Sequence, residues 1–322
     1  MNKKELASLL VKDNYTAWKE LLYVKPECVE KLHKLLKGYT NNSLITVSDI
    51  KYIRKGLEKN FALEQIKLYA KPSFCAEQKK EIYEGIESGL ENHQVKVYAL
   101  NYFNAAQMHE IRLAIEICPT DCAKVFARTD FSADQMEEIR LALANENITF
   151  EEVKKYAKPE FDAEKLKIIY DGIENLDEEE VDVYAKNIYS AEQMQIIREG
   201  FIRSYSKKDV EIYANPAFDI EQMKRIFSAL KDCISSEKVK LFAKPKYGEK
   251  VMETIYNAIK FDDVDVNMLD MCINFVEDIE NAYVVSVIYS LRSGMSFEDL
   301  VEKYKVPEEN IIQLEKDIYD LL

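Results

Sequence analysis

Seven aromatic residues fall at an almost fixed pitch: Tyr69, Tyr98, Phe126, Tyr156, Tyr184, Tyr213 and Phe242. Their spacings are 29, 28, 30, 28, 29 and 29 residues. A period in this range marks stacked supersecondary units and argues against a compact enzyme fold. With the aromatic as position zero, position +1 is alanine and position +13 isoleucine in every unit, from Ala70 and Ile82 to Ala243 and Ile255. Position +5 is aromatic again (Phe74, Phe103, Phe131, Phe161, Tyr189, Phe218, Tyr247), and position +16 is only glycine or alanine.

These identities specify two helices per unit. Position +6 holds a good N-cap at Asn104, Ser132, Asp162, Ser190 and Asp219, with Gln107, Gln135, Gln193 and Gln222 three residues after four of them. That is capping-box spacing. Gln78 holds the same position in the first unit. The +5 aromatic then precedes the cap and is placed to staple onto Met108, Met136, Leu166, Met194, Met223 or Met252; Lys79 breaks the staple in the first unit. Apolar positions +10, +13 and +17 share one face of a long helix of ~14 residues. Glycine inside a helix costs about 0.5–1 kcal/mol relative to alanine. Gly85, Gly172 and Gly200 therefore imply a compensating close approach, expected here from a neighbouring backbone. A shorter helix carries the anchor. It starts after caps such as Thr149, Asp177, Ser206 and Ser236 and ends before Pro72, Pro159, Pro216 and Pro245.

One such unit cannot bury both faces, so the expected fold is all-α: a superhelical solenoid of seven two-helix repeats over residues 61–260 with divergent helical caps. Residues 1–60 read as the N-terminal cap. Tyr23-Val24-Lys25-Pro26 echoes the repeat signature there, and Ile50, Ile53, Gly56 and Leu57 echo a long helix. Residues 261–322 read as the C-terminal cap. In them, Leu300, Tyr304, Val306, Ile311 and Leu314 have the offsets of a helix-turn-helix. Lys305 stands where that turn prefers glycine and Val301 where alanine is usual. Glu308, Glu309, Glu315 and Asp317 face Lys316 alone on the second helix, so DNA phosphates repel it. The segment is expected to cap or to dock protein.

The formal charge of −14 argues against a general nucleic-acid binder and permits a binder of basic proteins. No apolar run reaches the ~20 residues of a membrane span. The first residues lack a signal peptide's apolar core, so a cytoplasmic protein is expected. Six cysteines form no disulfide framework, and only Cys118 and Cys122 stand close together, where buried thiols are expected before a metal half-site. His33, His93 and His109 belong to no catalytic arrangement, and eight glycines include no phosphate-binding signature. No enzyme activity and no cofactor are expected.

Three sets of residues are candidates for partner binding. Position +2 is basic at Lys71, Arg128, Lys158, Lys186 and Lys244, a row that an acidic partner would meet. The plainer reading is that cations favour helix C-termini by about 0.3–1 kcal/mol. Glu178, Glu179 and Glu180 form an acidic run with Glu174 and Asp177, and Asp262, Asp263 and Asp265 form another. Such runs fit a basic groove, or simply a solvated helix start. Leu113 and Leu141 both fall at +15, where other units carry Glu84, Asp171 and Glu199; they make an outward apolar patch unless a neighbouring helix covers them.

The consensus Tyr-Ala-Lys-Pro-x-Phe-Asp-Ala-Glu-Gln-Met-x-x-Ile-Arg, clearest at Phe126–Arg140, Tyr156–Tyr170 and Tyr184–Arg198, resembles short α-helical repeats of uncharacterised proteins from anaerobic gut bacteria and their phages or conjugative elements. The resemblance implies a bacterial or mobile-element setting and brings no catalytic residues. The expected function is a non-catalytic protein-binding scaffold with a protein partner. The alternative is an acidic nucleic-acid mimic that inhibits a basic nuclease or related enzyme, and a DNA-binding regulator through residues 281–322 comes third.

Overall fold

A computed structural model describes residues 23–36 and 46–261, together with Asp299 and Glu302. Among the described residues there are sixteen α-helices, a short 3-10 turn at Pro26–Cys28 and no strand. No helix among them is long and apolar enough to cross a membrane. The chain divides into two compact units, residues 1–170 and 171–322.

The first unit runs α1 (Val29–Leu36), α2 (Val47–Glu58), α3 (Leu63–Tyr69), α4 (Ala76–Glu87), α5 (Asn92–Tyr98), α6 (Ala105–Ile117), α7 (Thr120–Ala123), α8 (Ala133–Ala144) and α9 (Phe150–Tyr156). Helix α10 (Ala163–Ile173) carries the chain into the second unit. There follow α11 (Glu178–Tyr184), α12 (Ala191–Ile202), α13 (Lys207–Tyr213), α14 (Ile220–Lys231), α15 (Ser236–Phe242) and α16 (Glu249–Phe261). Long and short helices thus alternate as the spacing demands, although the long ones have 11 to 13 residues and fall short of 14. Within the first unit α2 packs on α4, α4 on α6 and α6 on α8; within the second, α12 packs on α14 and α14 on α16. The echo of a long helix before the first repeat is real, since α2 contains Ile50, Ile53, Gly56 and Leu57 on its buried side.

The capping boxes form as the spacing predicts. Asn104, Ser132, Ser190 and Asp219 each accept from the backbone N–H of the glutamine three residues on, and that glutamine accepts from the cap's own N–H. Thr149, Asp177 and Ser206 cap their short helices. Ser236 does not, because α15 begins at that residue and Ser235 takes the cap position; the Ser236 hydroxyl donates instead to Asp209. The third repeat departs further. Its short helix α7 stops at Ala123, and the anchor Phe126 sits in the turn beyond it, still fully buried.

The segment after each anchor has one fixed geometry. Ala70, Ala99, Ala157, Ala185, Ala214 and Ala243 lie at φ −70° to −74° and ψ 57° to 78°. The N–H of residue +2 donates to the anchor's carbonyl at 2.6–2.8 Å in all seven units. This is an inverse γ-turn. The N–H of the +5 aromatic then donates to the +2 carbonyl, closing a second turn that feeds the next cap.

The +5 aromatics, the +10 methionines or Leu166, the +13 isoleucines and the anchors form the core of each unit, nearly all under 5% exposed. Lys79, which replaces the stapling methionine, is itself buried and forms an ion pair with the equally buried Asp49 of α2. The small +16 residue does not admit a neighbouring backbone, as expected from sequence. It admits a hydroxyl. A Cβ built on Gly56, Gly85, Gly172 or Gly200 would fall 1.8–2.1 Å from the Oη of the next anchor: Tyr69, Tyr98, Tyr184 or Tyr213 respectively. Tyr69 Oη donates to the Tyr52 carbonyl (3.1 Å) and Tyr98 Oη to the Glu81 carbonyl (3.4 Å), each one turn before the glycine. Where the next anchor is phenylalanine, the small residue is alanine: Ala114 with Phe126, and Ala229 with Phe242. Ala142 with Tyr156 is the departure from this pairing.

Candidate partner-binding surface

Each repeat presents two kinds of surface: the outward stripe of its long helix and the turn that joins short helix to long. The stripe follows from helical periodicity, since residues +8, +11, +15 and +18 lie opposite the buried +10/+13/+17 face.

Behind the stripe, helix is tied to helix by two devices. The +9 glutamines do more than cap. While Oε1 accepts from the cap N–H, Nε2 of Gln78, Gln107 and Gln135 donates to the carbonyl of the next repeat's +5 aromatic, at Phe103 (2.6 Å), Phe131 (2.8 Å) and Phe161. In the second unit Gln193 reaches Phe218 (2.8 Å) and Gln222 reaches Tyr247 (2.7 Å). Glutamate would cap equally well and could not donate, which explains glutamine here. The second device is an ionic ladder in the first unit. Arg112 of α6 donates to Glu81 of α4 at 3.0 and 3.1 Å and reaches Glu84 and Glu116. Arg140 of α8 repeats the step onto Glu110 of α6 at 2.6 Å. Burial disfavours the charged Arg112 guanidinium, and the bonds to Glu116 and Glu81 more than reverse this, raising its pKa. His109 Nδ1 lies 2.9 Å from the same Glu81 carboxylate. This histidine therefore has a structural partner.

The +2 cations lie at the inverse γ-turns. Lys71, Arg128, Lys158 and Lys186 are exposed and Lys244 is half-buried. Three of them stand over the +5 ring that follows: Lys71 over Phe74 (5.5 Å), Arg128 over Phe131 (5.6 Å) and Lys244 over Tyr247 (5.6 Å). Arg128 also pairs with Asp130. Cation–π contact of this kind is worth about 0.5–1 kcal/mol at exposed sites, so the +2 cation has a local role that the sequence row does not disclose.

Glu178, Glu179 and Glu180 form the first turn of α11. Glu180 closes the capping box with Asp177 at 3.0 and 3.1 Å, while Glu179 is highly exposed, 3.9 Å from Lys207. Carboxylates there complement the helix dipole. Leu141 is 46% exposed and Leu113 half-buried. The helix-turn-helix-like residues of 281–322 and the acidic group Asp262, Asp263 and Asp265 lie outside the described residues, apart from Asp299 and Glu302, which are exposed.

Among the described residues no three His, Cys, Asp or Glu side chains converge on a metal-sized site. The Cys118 thiol donates to the Ala114 carbonyl at 2.9 Å, and burial together with Cys122 pushes its pKa up to about 11. A thiol so protonated is a poor nucleophile. An open depression of about 450 Å³ lies between the starts of α8 and α10, lined by Ser132, Asp134, Gln135, Pro159, Asp162 and Glu164 among others. Its carboxylates sit at helix starts, where the dipole accounts for them. The chain matches no family model, no curated protein and no solved structure.

Proposed function

We propose that the protein is a non-catalytic binding scaffold: seven two-helix repeats stacked as a superhelical solenoid between divergent helical caps, offering the outward stripe of its long helices to a protein partner. One observation carries the reading. The +9 glutamine that links repeat to repeat stands in five of the seven repeats and the buried +13 isoleucine in all seven, whereas the outward +15 position runs through Glu84, Leu113, Leu141, Asp171, Glu199, Ser228 and Asn257. Recurrent links under a varied surface are characteristic of repeat arrays that bind proteins. The cytoplasm of a bacterium, or of a cell carrying a mobile element, is the setting this reading assumes.

The test is affinity purification from the native host with mass spectrometry, followed by reconstitution of the captured protein with the purified chain. A scaffold forms a stoichiometric complex that survives moderate salt. Failure of every captured protein to rebind in purified form would remove the proposal.

A second reading is favoured by the exposed carboxylates in the first turns of the long helices: Glu77, Asp134, Glu164, Glu192 and Glu221. Carboxylates repeated in this way within each compact unit suit inhibition of a basic nuclease by mimicry of phosphates. It requires inhibition in vitro that weakens steeply with salt, because exposed charges are screened within about 8–10 Å at physiological ionic strength.

A further inference from the structure

The repeat does not require leucine at the outward +15 position, and the molecule contains its own controls. At the same position of five sibling repeats stand Glu84, Asp171, Glu199, Ser228 and Asn257, all half-buried and all polar. Packing therefore does not demand a hydrocarbon at +15. Yet α6 and α8 both carry leucine, and these two helices lie side by side. Ile117 extends the patch. It lies one turn beyond Leu113 on the same face of α6 and is 53% exposed, beside the 46% of Leu141. Ala144, the next outward residue of α8, is exposed as well.

The rim of this patch is negative. Glu84 flanks it on α4, Glu116 on α6 and Glu137 on α8, the last more than half exposed. Arg112 pairs with Glu84 and Glu116 as well as with the buried Glu81, Lys80 also stands beside Glu84, and Arg140 lies 4.0 Å from Glu137 while it bonds the buried Glu110; three cations thus face five carboxylates, and the surroundings of the patch stay negative. A second copy of the chain is a poor occupant, because it also carries a formal charge of −14. We infer that the α6–α8 face receives an amphipathic helix of a partner protein, with large aliphatic residues on Leu113, Ile117 and Leu141 and lysine or arginine against the carboxylate rim. The inference rests on the scaffold reading and gives it a surface and a partner chemistry.

The probe is a fluorescently labelled leucine/lysine amphipathic peptide, with a leucine/glutamate peptide of the same pattern as control, followed by anisotropy at physiological salt. The lysine peptide binds and the glutamate peptide does not. The paired substitution Leu113→Glu and Leu141→Glu restores the chemistry of the sibling repeats while adding two carboxylates. It weakens the lysine peptide about tenfold or more, as loss of buried anchors does. The pair Leu113→Ser and Leu141→Ser, which copies the serine that the sixth repeat carries at Ser228, gives the same loss and serves if the glutamate variant fails to fold by circular dichroism. Unchanged or tighter binding of the lysine peptide to the glutamate variant overturns the inference, since charge alone was then responsible. Equal binding of the two peptides overturns it too, as does a dimer in sedimentation that the leucine substitutions dissolve. None of these results touches the scaffold reading, which stands or falls with the reconstituted complex.

Discussion

The contact between each +16 glycine and the following tyrosine can be tested at Gly200. Alanine there would place a methyl carbon 1.8 Å from Tyr213 Oη, 3.2 Å from Cζ and 3.3 Å from Val210 Cγ2. Tyr213 is fully buried and has no room to swing aside. Overpacking of this kind costs about 1–3 kcal/mol. Alanine returns about 1 kcal/mol of helix propensity, so Gly200→Ala is expected to destabilise by up to about 2 kcal/mol. Tyr213→Phe alone is expected to be neutral or stabilising, because the hydroxyl it removes is buried without a partner. The double variant reproduces the Ala229–Phe242 pair of the neighbouring repeat. Its methyl occupies the space left by the hydroxyl, the propensity gain remains, and it is expected to exceed the parent by about 0.5–1 kcal/mol. Urea unfolding of the four proteins, followed by circular dichroism, closes a double-mutant cycle with a coupling of roughly 2 kcal/mol. If the two single effects add to within about 0.5 kcal/mol, the hydroxyl and the missing Cβ are not in contact and the reasoning is refuted.

Gln107→Glu keeps the acceptor for the Asn104 N–H but loses the donor to the Phe131 carbonyl. The melting point should fall by the equivalent of about 1–3 kcal/mol for a stranded buried acceptor, and an unchanged value would show that the link is dispensable. Lys79→Met removes the buried cation from beside the equally buried Asp49 carboxylate and should cost about 3–5 kcal/mol. Adding Asp49→Asn, which keeps an oxygen for the Thr46 cap, should recover most of that loss in denaturant titrations. Burial raises the phenol pKa of Tyr69, Tyr98, Tyr170 and Tyr213. The folded values lie above the unfolded one, so the stability is intact below pH ~10. Above it the unfolded chain releases protons that the folded chain keeps, and each of these tyrosines should remove about 1.4 kcal/mol per pH unit. Phenolate absorbance and loss of helix should therefore appear together on alkaline titration; ionisation of these phenols with the helices intact would contradict their burial.

The alternation of long and short helices is legible in the sequence because it is a local matter. A cap, a glutamine three residues on and an apolar residue every third or fourth position act within one helix, and the period repeats them until they cannot be mistaken. The turn after each anchor is legible only as a constant alanine, since its γ-turn shows in dihedral angles and not in composition. The cations at +2 form a visible row, but the ring under Lys71, Arg128 and Lys244 is set by that turn, and only coordinates bring the pair together.

Residues that act between repeats are half legible, for a consistent reason. Gln107 has one end inside its own helix and one end on the next repeat; sequence spacing reveals the first and is silent on the second. The glycine at Gly200 signals a close approach, but the approaching group lies 13 residues later in the chain and is a hydroxyl rather than a backbone. Lys79 reads as a broken staple, and the structure makes it half of a buried ion pair with Asp49. In each case the sequence by itself determines the helices, their caps and the identity of the buried face, because those depend on neighbours within a turn or two. The tertiary structure decides what each buried polar atom touches, because a hydrogen bond or an ion pair is satisfied in space, by whichever helix the packing brings alongside.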